Sequence, residues 1–518
     1  MKRLSSGQWS VVSGQKGRHF PGLKSETRGT RNLYKVLITG AAFASLLLPS
    51  ILPAQESKPW EQIPVPPLHE FKPHQPVRIE LKNGIVLFLQ EDHELPFISG
   101  SVLIPGGSRD EDPAQTGLVD LYGQAWRTSG TEKVPGDAMD DLLAAKAAHI
   151  ETSGDEDSTA LSWDSLKGDS DQVYALAMDL LFHPKFSEEK LELAKQQEAT
   201  GIVRRNDDEG EIAGREAAKL VYGADSPYTR QPELATIAHV KLSDLQAWHD
   251  RTLGGKLIVS ISGDFDPAAM EARLRATFDR LSETKPLPAR HDTFSDPKPG
   301  IYFINKADVN QSNVQIVGQG TTRRNPDVPA LAVMNDILGG GFGSRLFQKV
   351  RTELGLAYAV GGGYGFGFDH PATFRVLVMT KSATTVDATK AALAEISGLD
   401  TKPFTEEELK RAKDNILSSF LFRYDTREKV LAERVRLEFY GYPADYLESY
   451  KGAVEKVTVP DLERVAKKYI HPDKLAVLVV GNGPEIKPGL EALDMGAIHP
   501  VDITIPMPKQ GETMEKKP

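Results

Sequence analysis

The side chains able to do chemistry are unevenly chosen along this sequence. It holds twelve histidines and no cysteine, which excludes disulfides, thiolate zinc sites, a cysteine nucleophile and a lipid-modified cysteine. Any metal would have to be held by His, Asp or Glu. No two histidines stand as His-x-x-x-His; His69 and His74 fall in a proline-rich stretch, and His239 and His249 are ten apart. The glycine-rich run at 339–343 is followed by neither Gly-Lys-Ser nor Gly-Lys-Thr, so it is not a phosphate loop. Beyond it stand Arg351 and Tyr358. By residue type alone, Arg351 would pair on its helix with Glu353 or another acid and Tyr358 would open a buried strand.

The elements that position these residues come in two sets. Phe186-Ser-Glu-Glu-Lys-Leu-Glu-Leu-Ala-Lys195 matches Phe404-Thr-Glu-Glu-Glu-Leu-Lys-Arg-Ala-Lys413, and Lys256-Leu-Ile-Val-Ser-Ile-Ser-Gly263 matches Lys474-Leu-Ala-Val-Leu-Val-Val-Gly481. Val240-Lys-Leu-Ser-Asp-Leu245 likewise matches Val457-Thr-Val-Pro-Asp-Leu462. All three keep a spacing of about 218 positions, the mark of a tandem duplication. The first block is a helix start, with Ser187 or Thr405 as N-cap and acidic residues in the first turn. The last is a β-branched strand ended by glycine. The expected fold is α+β: two copies of an α/β sandwich forming a clam-shell.

The expected boundaries are a leader at 1–54, a proline-rich strap at 55–75, a first domain at 76–283 and a linker at 284–299. A second domain at 300–484 and an exposed C-terminal tail at 485–518 complete the chain. In the leader, Lys24, Arg28, Arg31 and Lys35 precede an apolar run at 36–52, and Ala54 supplies a small residue for cleavage. This reads as an export signal to the periplasm or the medium. The alternative is a membrane anchor, although the run, about 17 residues long, is broken by Gly40, Pro49 and Ser50. No Met lies between Met1 and Met139 to mark another start. The net charge of -10 offers no basic field to nucleic acid.

Three segments in order resemble the insulinase, pitrilysin and processing-peptidase family of zinc metallopeptidases. They are Lys82-Asn-Gly-Ile-Val-Leu-Phe-Leu89, Gly106-Gly-Ser-Arg-Asp-Glu111 and the stretch from Gly117-Leu118 to Gly130-Thr131. In that family the helix after Gly-Leu carries His-x-x-Glu-His, two metal-binding imidazoles and a general base. The resemblance puts Asp120, Gly123 and Gln124 at those positions. The third ligand, a later glutamate, falls on Gly201, with Glu198 about one turn away. No metal is expected in this chain. Asp120 and Gln124 could hold a hard cation through oxygen, or simply form a polar, partly exposed helix face.

Residues 337–358 resemble the family's C-terminal segment, in which an arginine and a tyrosine face the zinc and donate hydrogen bonds to substrate. Matched here, they are Arg351 and Tyr358. Such donors stabilise the oxyanion formed when a carbonyl is attacked. Residues 361–367, with Tyr364 and Phe366 among glycines, then form either a flexible substrate-facing strand or a glycine-softened edge. Some members of the family divide the zinc motif and the Arg-Tyr pair between two subunits. The resemblance therefore implies a non-metal subunit whose zinc sits in its partner and whose substrate is a peptide or unfolded polypeptide. The alternatives are a structural or peptide-binding scaffold, like the family's core subunits in respiratory complexes, and a peptidase with a rebuilt metal site.

Overall fold

The computed structural model describes residues 73–285 and 292–507. The leader, the strap up to 72, the middle of the linker and the end of the tail lie outside the described residues.

The first half opens with β1 (Val77–Glu80), β2 (Val86–Glu91) and β3 (Phe97–Pro105), then α1 (Leu118–Ser129) and α2 (Gly136–Lys146). β4 (His149–Gly154) and β5 (Ser158–Leu166) form a hairpin. Five helices follow: α3 (Ser170–Phe182), α4 (Glu188–Arg204), α5 (Glu209–Tyr222), α6 (Leu234–His239) and α7 (Leu242–Leu253). β6 (Ile258–Gly263) and α8 (Pro267–Phe278) close the half. The sheet runs β1-β2-β6-β3-β5-β4, with β2 and β6 parallel. Those two inner strands are buried along nearly their whole length because both their faces are covered. β3 instead alternates buried and half-exposed positions.

The second half repeats the plan with β7 (Gly300–Asn305), β8 (Gln311–Gln319), β9 (Thr321–Thr322) and α9 (Val328–Gly339). Next come β10 (Ala357–Tyr364), β11 (Phe366–Gly367), β12 (Thr373–Lys381), α10 (Thr385–Thr401) and α11 (Glu406–Arg423). The rest is α12 (Arg427–Phe439), α13 (Tyr446–Lys456), α14 (Val459–Tyr469), β13 (Ala476–Gly481), α15 (Gly483–Leu490) and β14 (Ile498–Pro500). Its sheet, read from the other side, is β14-β7-β13-β8-β12-β10. Position for position this matches the first sheet, including the central parallel pair. The duplicated helix starts form as expected. The Ser187 hydroxyl accepts the Lys190 N–H, and Thr405 exchanges hydrogen bonds with Glu408 in a capping box.

One expectation needs correction. Residues 485–501 are not an exposed extension: Leu490 and Leu493 are buried in the second core, and β14 adds in parallel to β7. β14 fills at the C-terminal end of the chain the place that β1 fills in the first sheet. A three-residue strand ending in proline is tolerated because it lies at the edge.

The halves are joined by exchanged helices. α5, from the first half, lays Ile212, Ala213, Ala217 and Val221 on the β8–β13 face of the second sheet, against Ile304, Val317 and Leu478. α12, from the second, lays Leu431 on Val86, Phe88 and Ile258 of the first. At its end Glu438 accepts hydrogen bonds from Arg78 and Lys256. Arg109, from the Gly-Ser-Arg-Asp turn, pairs with Asp157 at 2.6 Å and with Asp369 of the second half at 2.5 Å.

Candidate functional site

α1 begins at Gly117, whose φ of 103° is a left-handed value that favours glycine. Glu111 caps it, accepting the N–H groups of Gly117 at 3.1 Å and Val119 at 2.6 Å. Burial pushes the Glu111 carboxyl up to about 7, with the Asp120 charge adding to the rise and the Arg230 guanidinium opposing it. Arg230 also donates to the carbonyls of Arg109 and Glu111. Neither Glu111 nor Arg230 stood out as functional in the sequence. The available signal was an acid six residues before a helix-opening glycine.

The apolar side of α1 carries Tyr122 and Trp126 into the core. Tyr122 donates its hydroxyl to Nδ1 of His249 at 2.9 Å, while Nε2 of His249 faces the Leu181 carbonyl at 3.0 Å. His249 is thus held neutral, and burial pulls its pKa down to about 4. It is a core residue, remote in role from metal binding.

Gly123, which the resemblance puts at the family's base position, lies against β4. A Cβ there would come within 2.7 Å of the Gly154 amide nitrogen, and one on Gly154 within 2.3 Å of Val119. The Thr152 hydroxyl donates to the Gly123 carbonyl at 2.7 Å. Helix and strand therefore touch where a glutamate would need room. Asp120 and Gln124 share one half-buried face, and the Gln124 Oε1 is buried with no hydrogen-bond partner. α4 packs along α1. On it Gly201 is exposed, with open space where its side chain would be, and Glu198 is half-buried. An open cleft of about 770 Å³ runs past Glu198, Gly201, Arg205 and Arg230. Zinc takes four tetrahedral nitrogen, sulfur or carboxylate ligands. Among the described residues no group of three or more His, Asp or Glu converges. These positions do not fit the family's zinc, and no hydrolytic step is derived from them.

The donor pair lies in the second half. After α9 and the glycine-rich turn, Phe347–Glu353 winds as a π-helical segment, a widened turn common at functional sites. It sets the Arg351 guanidinium 4.8 Å from the Phe347 ring centre and 5.6 Å from that of Tyr358. Glu353 pairs with Lys349, not with Arg351. Tyr358 does not enter the core: it is 73% exposed, near the start of β10. Phe342, in the glycine-rich turn, is 68% exposed and packs edge-on against Phe347.

The glycines of β10 answer to packing. A Cβ on Gly339 would meet the Gly362 carbonyl at 2.4 Å, and one on Gly363 the Asn335 side chain at 2.5 Å. Tyr364 faces inward at 8% exposure, so the inner end of β10 is not a substrate-facing surface. Among the described residues β10 pairs only with β12 and leaves its other edge open. The structure thus brings Arg351 and Tyr358 together beside an unpaired strand edge. Chemically this is a donor site: a phenol and a guanidinium able to hydrogen-bond a carbonyl or an oxyanion.

Two family models match the chain, one described as insulinase (peptidase family M16) over residues 86–210 and one as peptidase M16 inactive domain over residues 239–416. The non-peptidase homolog YmxG of Helicobacter pylori is 24% identical over 403 residues, covering 77% of this chain and 92% of that protein. An uncharacterized zinc protease of Rickettsia felis is 25% identical over 362 residues, covering 68% and 84%. The crystal structure of a peptidase M16 inactive domain from Pseudomonas fluorescens superposes with a TM-score of 0.69 at 22% identity, covering 79% of this chain and 98% of that one. A protease from Helicobacter pylori gives 0.68 at 17% identity, covering 79% and 100%.

Proposed function

The chain belongs to the insulinase family of peptidases, M16, and from that premise we propose that it is the non-metal subunit of a two-subunit zinc peptidase. It lends Arg351 and Tyr358 in trans to a partner that carries the His-x-x-Glu-His zinc helix. The observation that carries this reading is the exposed Arg351–Tyr358 pair at the open edge of β10, in a chain whose own α1 is closed against β4 at Gly123. A scaffold needs neither an exposed tyrosine nor a guanidinium held beside it. The substrate would be a peptide or an unfolded segment, with main-chain groups added along β10 and its carbonyl held by the pair. Export to the periplasm or the medium belongs to the same proposal, on the strength of the basic and apolar leader.

The test is to purify this chain alone and together with a His-x-x-Glu-His relative from the same organism, then measure zinc content and peptide cleavage. Cleavage is expected only from the mixed complex, with zinc in the partner. Tyr358→Phe should lower kcat by roughly 10²–10³, the usual cost of one oxyanion donor. Full activity of the Tyr358→Phe complex would leave the scaffold reading standing. Stoichiometric zinc and cleavage in the isolated chain would restore the rebuilt-site reading.

A further inference from the structure

A second groove of the C-terminal half takes no part in the Arg351–Tyr358 site. Between the start of α9 and α13 lies a groove of about 350 Å³, lined by Pro326, Pro329, Tyr442, Pro443, Tyr446 and Tyr450. The three tyrosines stand at four-residue intervals, so their rings form a ladder. Ring centres are 4.9 Å apart from Tyr442 to Tyr446 and 6.4 Å from Tyr446 to Tyr450, the latter pair stacked at 17°. The ladder is held from below, for the Tyr442 hydroxyl donates to the Phe368 carbonyl at 2.6 Å.

Two cations flank this apolar floor. The Arg324 guanidinium lies 4.4 Å over the Tyr442 ring and donates to the Tyr440 carbonyl at 2.7 Å. Arg323 lies 4.1 Å over Phe368, and its Nε is buried without a hydrogen-bond partner. Among the described residues neither guanidinium meets a carboxylate, in a chain whose net charge is -10. Two cations without an ion-pair partner among the described residues, beside packed aromatic rings, suit an anionic, ring-packing ligand.

We propose that this groove docks an extended proline-rich segment of a partner polypeptide, with a carboxylate seated at Arg323 and Arg324. A polyproline II helix is pre-ordered, has no internal hydrogen bonds, and packs its prolines on aromatic side chains.

The proposal is tested on the full chain by fluorescence anisotropy. The probes are a panel of labelled proline-rich dodecapeptides with glutamate at each position in turn. Saturable binding in roughly the micromolar range is expected from a subset. It should fall at least tenfold when the glutamate is changed to lysine, when the prolines are changed to alanine, and in the Arg324→Glu and Tyr446→Ala proteins. Arg324 is exposed, so its variant keeps the fold, which circular dichroism checks. Binding that is lost in Tyr358→Phe and kept in Arg324→Glu would place the peptide at the β10 edge and overturn the groove as its site. No binding by any peptide, or binding indifferent to charge, proline and both groove variants, overturns the proposal. So does sedimentation showing that Arg324→Glu abolishes self-association while peptides fail to bind, since a second copy would then be the occupant.

Discussion

His249 shows how one side chain packed against α1 governs stability. It sits on α7, 2% exposed, between the Tyr122 hydroxyl and the Leu181 carbonyl. Its pKa of about 4 in the folded chain lies below the usual 6.5, so as pH falls the unfolded chain takes up the proton first. Its contribution is therefore complete above about pH 6.5 and lost on descent towards pH 4. Glu111, pushed up to about 7, acts in the opposite sense and weakens the fold as pH rises through the same window. Comparing His249→Gln with the parent chain isolates the histidine. Between pH 6.5 and 4.5 the variant should lose about 2 kcal/mol less stability by urea unfolding; equal losses would exclude the linkage. The resemblance puts Gly123 at the family's base position by sequence order alone. The reason glycine is needed there was not legible in the sequence, because Gly154 reaches it only through the β4–β5 hairpin's place in the sheet.

Helix exchange is the element that the sequence concealed. The duplicated blocks marked α4 with α11 and β6 with β13, and the caps at Ser187 and Thr405 were readable from residue types and spacing. Periodicity tells a helix which face it buries but not which sheet receives it. α5 and α12 were thus assignable to their own halves, while each in fact covers the other's sheet. The tail was misread for a related reason: β14 becomes a strand only because β7 offers a free edge. The exchange predicts a remote effect. Tryptophans 126, 163 and 248 all lie in the first half, whereas Leu431 belongs to the second. Leu431→Ala should cost about 2–4 kcal/mol and shift the urea midpoint read from tryptophan fluorescence. An unchanged midpoint would mean that α12 does not hold the first sheet.

At the scale of the whole molecule, two six-stranded sheets, two cores and a pair of shared helices make the halves mutually dependent. The duplication, the α+β class and the family likeness were visible in sequence because they are carried by local motifs. The joining was not, because it is carried by contacts between residues hundreds of positions apart, such as Arg109 with Asp369. Residues 76–283 and 300–507 made as two chains should each be poorly soluble alone, with an uncovered sheet face and an apolar α5 or α12 surface. Expressed together they should co-purify as a one-to-one complex, and failure to do so would show that the exchanged helices are too weak to join the halves. Synthesis on the ribosome meets the same dependence in time. The first sheet is complete once β6 has emerged, but its cover, α12, follows roughly 180 residues later. At roughly 5–20 residues per second this leaves about 10–35 s with Val86, Phe88 and Ile258 bare. For that interval the nascent chain is a client for whatever in the cell shields apolar surface.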